Sequence, residues 1–110
     1  VFAHGFGCDQ NMWRFVAPTF ERDHRVVLFD YVGAGRSQLS AYDPQRYATL
    51  DGYARDLIEV IDAAGAAPAT VVAHSVSSMV AVLAARAAPG RIGRLVLIGP
   101  SPRYVNEHPA

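Results

Sequence analysis

Ser75 lies where an apolar, β-branched run, Ala69-Thr70-Val71-Val72-Ala73, gives way to a small-residue stretch from Ser77 to Ala87. A sharp strand-to-helix turn at that point holds a serine hydroxyl clear of the sheet, and only small side chains fit on either side of it. Ala73 and Ser77 flank the serine here, so the steric demand behind Gly-x-Ser-x-Gly is met without either glycine. The chemistry open to such a serine is nucleophilic attack on a carbonyl. That chemistry also needs hydrogen-bond donors where negative charge develops. His4-Gly5-Phe6-Gly7 is the candidate loop for them, because it follows the apolar start Val1-Phe2-Ala3 and precedes a helical stretch around Met12-Trp13. The expected donors are the backbone N–H groups of Phe6 and of Val76, reinforced by the positive end of the helix that starts after Ser75.

A nucleophilic serine also needs a base, and none of the four histidines is placed as one. His4 belongs to the oxyanion loop and His74 directly precedes the serine, so both are expected in packing roles. His24, in a polar turn, and His108, near the end of the chain, are expected at the surface. His4, Phe6 and Met79 are candidate pocket-lining residues, although core packing accounts equally for aromatics and methionine such as Phe6, Trp13 and Met79. The Gly33-Ala34-Gly35 turn after Asp30 invites a dinucleotide fingerprint, but Gln38 stands where the third glycine belongs and no helix opens there. Asp30 is instead expected to accept hydrogen bonds from backbone N–H groups of a structural loop. Cys8 is the single cysteine, so it forms no internal disulfide and reads as a partly buried thiol.

The elements that position these residues follow from apolar spacing. Val1 to Ala3, Arg25 to Asp30, Ala69 to Ala73 and Ile92 to Ile98 have strand length and composition. Leu50, Tyr53, Ala54, Leu57, Ile58 and Ile61 mark one apolar face of a helix from Thr49 to Ala64, with Gly65 placed to end it. Asp51, Arg55, Glu59 and Asp62 take its wet face. A further helix is expected from Gln10 to Phe20, with Asp9 as its N-cap. Strands alternating with helices imply right-handed crossovers and an α/β fold: a mostly parallel sheet with helices on both faces. If the second strand lies on one side of the first and the third on the other, a switch point falls between the strands that carry Gly5 and Ser75.

The chain has 110 residues, 51% of them hydrophobic, and equal numbers of acidic and basic side chains. That balance suits one globular unit and gives no support to nucleic-acid binding. No apolar run approaches the roughly 18 residues of a membrane span and no leader precedes the first strand, so the expected location is cytoplasmic. Residues 1–110 are expected to be a partial core, since they open inside a strand and end without a helix or strand to close them.

Several longer words carry a resemblance. They are His4-Gly5-Phe6-Gly7-Cys8-Asp9-Gln10, Asp23 through Gly33, Tyr47 with Thr49 to Ala54, His74-Ser75-Val76, and Gly99-Pro100-Ser101-Pro102-Arg103-Tyr104. On these the chain resembles α/β-hydrolases of the group that contains a bacterial sigma-B energy-stress regulator and the plant karrikin and strigolactone receptors. The resemblance implies a Ser-His-Asp hydrolase with Ser75 as nucleophile and Phe6 and Val76 as oxyanion-hole residues. It also implies a helical lid after the Pro100-Ser101-Pro102 region, enclosing an apolar cavity, with the aspartate and histidine beyond that lid. The expected substrate is a small, largely apolar ester or lactone, and no metal or organic cofactor is implied. The alternative is a signalling regulator or small-ligand receptor that acts through a protein partner, such as a phosphatase of a stress-signalling pathway. An acid nucleophile, as in dehalogenases and epoxide hydrolases, is disfavoured because position 75 is serine.

Overall fold

The computed structural model describes residues 1–101. Three strands, β1 (Phe2–Ala3), β2 (Ala69–His74) and β3 (Ile92–Ile98), form a parallel sheet in the order β1-β2-β3. Their register pairs Ala3 with Ala73 and His74 with Ile98. Two α-helices connect and cover them: α1 (Leu50–Ala64) and α2 (Val76–Ala87).

α1 forms where its apolar spacing calls for it. Thr49 Oγ1 accepts the Asp51 N–H at 3.3 Å and caps the start. Gly65, at φ 60° and ψ 36°, ends the helix in the left-handed region, where its N–H reaches back to the Ile61 and Asp62 carbonyls. Leu57 and Ile61 are fully buried, while Asp51, Arg55, Glu59 and Asp62 are exposed.

Alternating residues of the strands feed two cores, as a pleated sheet requires. Ala3, Val71 and Ala73, with Leu95 and Leu97 beside them, pack against Leu57 and Ile61 of α1 and Val80, Ala81 and Ala84 of α2. Phe2 and Val72 point to the other face, where Trp13 and Ala17 lie over them. Helical segments therefore lie on both faces of the parallel sheet.

Two expected elements take a different form. The helix expected from Gln10 to Phe20 is two short 3₁₀ turns, Gln10–Trp13 and Ala17–Phe20. Pro18 is the physical reason, because inside a continuous α-helix it would lack the N–H for the Arg14 carbonyl and clash with it. Asp9 does cap the first turn, with Oδ1 accepting the Asn11 N–H at 2.8 Å. The strand expected from Arg25 to Asp30 is reduced to one parallel bridge, Phe2 to Leu28, with the Phe2 N–H donating to the Val27 carbonyl at 3.0 Å. Apolar composition does not by itself make a ladder, and within this segment only Val27 and Leu28 meet β1 in backbone pairing. The placement is nonetheless as expected: this segment flanks β1 on one side and β2 flanks it on the other. The crevice between the carboxyl ends of β1 and β2 is thus a topological switch point, where ligands bind in open α/β sheets.

Candidate functional site

Ser75 occupies that switch point, between the end of β2 and the first residue of α2. It has φ 59° and ψ −125°, and it is the one non-glycine residue with positive φ among those described. A conformation so sparsely populated costs on the order of 1–3 kcal/mol and persists only where its surroundings hold it. They do so here through hydrogen bonds on both sides: the Ser75 N–H donates to the Ile98 carbonyl at 2.9 Å, and its carbonyl accepts the Ser78 N–H at 2.9 Å. Ser75 makes no side-chain cap to its own helix. Ala73 and Ser77, the small residues on either side, are both fully buried.

The loop after β1 closes on this turn. A Cβ at Gly5 would stand 3.3 Å from Ser75 Cβ and 2.7 Å from His74 Nδ1, so only glycine allows the approach. A buried polar network ties the two loops together. Ser77 Oγ donates to the His4 carbonyl and lies 3.0 Å from the Tyr31 hydroxyl. With the single Ser77 proton given to His4, the Tyr31 hydroxyl is the donor in the second bond. Burial raises the Tyr31 pKa well above the ordinary tyrosine value, the Ser77 contact opposing and the charge of Asp56 adding, so the hydroxyl keeps its proton. The Tyr31 N–H donates to His4 Nε2 at 3.1 Å, and His4 Nδ1 lies 2.8 Å from the Gly5 carbonyl.

The profile of the α/β hydrolase fold matches residues 1–110. The chain belongs to the α/β-hydrolase family. It is 44% identical over 107 residues to a protein of Oryza sativa subsp. japonica named as a probable esterase. It is 42% identical over 107 residues to one of Petunia hybrida named karrikin insensitive 2 receptor CA. Each match covers 97% of this chain and 40% of the relative. A solved hydrolase structure from Oleispira antarctica superimposes with a TM-score of 0.89 at 44% identity, covering 98% of this chain and 40% of that one. The chain thus spans about 40% of the length of the relatives it matches.

Around the elbow of this α/β-hydrolase family member, the other candidates take distinct places. Phe6 is 54% exposed and its ring meets Tyr53 at 5.3 Å between centroids. Val76 is buried as the first residue of α2, where a helix leaves its N–H without an intrahelical acceptor. Met79 is half-buried one turn further along. His4 is buried, at 1% exposure. His74 is half-buried, and its Nδ1 has no hydrogen-bond partner among the described residues. His24 is exposed against Phe20, and His108 lies outside the described residues.

Two cavities lie elsewhere on the chain. One, of about 560 Å³, runs between the Asp30–Arg46 loops and α1 past Tyr31, Arg46, Tyr47 and Asp56. The other, of about 640 Å³, is an apolar groove along Phe2, Trp13, Phe20, Val72, Val96 and Ile98. Neither reaches Ser75 or includes His4, Phe6 or Met79. Among the described residues no helix is long and apolar enough to cross a membrane, and no cluster of three metal-ligating side chains forms.

Asp30 behaves as a loop organiser. Its carboxylate accepts the Gln10 N–H at 2.8 Å, Gln10 Nε2 at 3.0 Å and the Arg36 N–H at 3.0 Å. Burial works to raise its pKa, but these hydrogen bonds together hold the carboxyl below the usual carboxylate range. Sequence reasoning missed the Tyr31 and Ser77 partnership. The one available signal was Ser77 itself, a hydroxyl at a position where the elbow pattern has glycine.

Proposed function

We propose that this chain is the N-terminal part of a serine hydrolase that cleaves a small, largely apolar ester or lactone. The observation that carries the reading is the Ser75 backbone at φ 59° and ψ −125°, held at the β1–β2 switch point against Gly5. In the proposed reaction Ser75 Oγ attacks the substrate carbonyl while a histidine supplied beyond residue 110 takes its proton and an aspartate, also beyond it, orients that histidine. The Phe6 and Val76 N–H groups receive the oxyanion. The tetrahedral intermediate collapses with transfer of the proton to the leaving alcohol, and water then releases the acyl group by the same steps. Phe6 and Met79, on the two elements that flank Ser75, are the proposed pocket-lining residues, and the cytoplasm is the proposed location.

A serine-directed organophosphonate applied to the full-length protein tests the reading. The expected adduct maps to Ser75, and Ser75→Ala retains only the roughly 10³ to 10⁴ acceleration over water that an oxyanion hole and binding supply. An adduct on another serine, or wild-type turnover in the variant, refutes it.

A second reading is favoured by the likeness to a protein named as a receptor. On that reading ligand binding or slow turnover at Ser75 alters contact with a protein partner, for which a phosphatase of a stress-signalling pathway is the candidate. Ligand-dependent capture of such a phosphatase by the full-length protein separates the two readings, because a metabolic esterase shows none.

A further inference from the structure

The Gly5–Phe6 peptide unit carries two groups with separate partners. Its carbonyl meets His4 Nδ1 at 2.8 Å and also accepts the Cys8 N–H from within its own turn at 3.2 Å, and its N–H is the Phe6 donor proposed above for the oxyanion. In a planar trans peptide the C=O and N–H bonds point in opposite directions, so whatever holds the carbonyl also aims the N–H. A carbonyl that accepts a hydrogen bond also polarises its amide and strengthens that N–H as a donor.

His4 is built to be such a clamp. The Gly5 carbonyl can only accept and the Tyr31 N–H can only donate, so the imidazole must carry its proton on Nδ1 and leave Nε2 bare. Its ring is 1% exposed and stands edge-on to the Tyr31 ring, with centroids 4.9 Å apart at 76°. Its own carbonyl accepts Ser77 Oγ from the elbow helix. Both ring nitrogens and the carbonyl of His4 are thus committed, each to a different neighbour around Ser75.

We propose that His4 is a positioning residue for acyl transfer: its Nδ1–H holds the Gly5–Phe6 amide with the N–H turned toward Ser75. The proposal rests on the hydrolase reading. It assigns the histidine of the loop a role in transition-state stabilisation rather than in proton transfer or in lining a pocket.

Two substitutions in the full-length protein separate the clamp from simple packing. In His4→Asn the side-chain amide nitrogen takes the place of Nδ1 and keeps the bond to Gly5, while the acceptor for Tyr31 is lost. In His4→Gln the longer side chain brings its oxygen to the place of Nε2 and keeps the bond to Tyr31, while the Gly5 carbonyl loses the His4 clamp and keeps only the Cys8 N–H of its own turn. Each variant loses one buried hydrogen bond, so similar drops in Tm are expected. Loss of a whole oxyanion donor costs about 10² to 10³ in kcat, and a mis-aimed donor should cost about 10- to 100-fold. His4→Gln is therefore expected to lower kcat on a p-nitrophenyl ester by that factor with little change in KM, and to slow phosphonate labelling of Ser75 in parallel. His4→Asn is expected to recover most of the lost kcat.

Equal losses in the two variants, a change confined to KM, or no loss in His4→Gln overturns the proposal. Imidazole ¹⁵N shifts of the wild-type protein provide a check that does not depend on either variant folding: the His4 proton must reside on Nδ1, and a proton on Nε2 refutes the clamp. Failure of the hydrolase reading is distinguishable, because wild-type Ser75 then takes no phosphonate at all.

Discussion

At position 77 a hydroxyl does what glycine cannot. Ser77 is small enough for the elbow, yet its Oγ bonds the His4 carbonyl and meets Tyr31 in a fully buried site. Ser77→Gly, which restores the glycine of the elbow pattern, is therefore expected to destabilise the protein, by about 1–3 kcal/mol, because buried partners are left unmatched. Urea unfolding of the two proteins measures it, and equal midpoints would show that the network is energetically idle. Val76→Pro probes the oxyanion hole one residue away. It deletes one proposed donor at the first position of α2, where proline is tolerated, so turnover should fall by about 10² to 10³ with unchanged circular dichroism. An unchanged rate with an intact fold would move the hole elsewhere. Asp30 carries a pH dependence. Its folded pKa is depressed, so protonation favours the unfolded chain, and its contribution is present above the unfolded carboxylate pKa of about 4 and is lost as pH falls below it. Asp30→Asn is expected to flatten the acid limb of stability against pH, and an unchanged limb contradicts that sign.

Among the elements, α1 was legible from the sequence because local and tertiary preferences agree. Its apolar positions recur at helical spacing, Thr49 caps one end, and Gly65 closes the other at φ 60°. Gly65→Ala places a side chain in the left-handed region, where no neighbouring atom lies within 4 Å, so the cost of about 1–2 kcal/mol is conformational. Asparagine there should cost less than alanine, and thermal melts that rank the two the other way would show that something other than backbone conformation governs the site. Segments 10–20 and 25–30 were less legible. In the first, an apolar helical pattern conceals Pro18, which splits it into two turns. In the second, strand composition is satisfied, but a strand also needs a paired backbone, and one bridge to Phe2 is what forms.

At the scale of the molecule, β3 is the outer strand of the sheet among the described residues, and there Val96 is 47% and Ile98 43% exposed beside the apolar groove. An open edge with apolar flanks recruits further strands. Residues 1–110 expressed alone are expected to run as aggregates in size-exclusion chromatography and to show no Ser75-dependent ester cleavage. A monodisperse monomer whose esterase activity disappears on Ser75→Ala would contradict both parts and return the search for a base to His4, His24, His74 and His108.

The sequence by itself determined the succession α1, β2, α2 and β3, the parallel sheet and the place of Ser75 between β2 and α2. Each of these follows from side-chain size and apolar period over a few neighbouring residues. What the tertiary structure alone decided is which distant groups meet. The approach of Gly5 to Ser75, the Tyr31 hydroxyl at Ser77 and the Tyr31 N–H on His4 Nε2 span 70, 46 and 27 residues of chain. Hydrogen bonds of that kind depend on sheet register and on angles that no local pattern encodes, since a polar residue at a buried position reveals its partner only once the strands have paired.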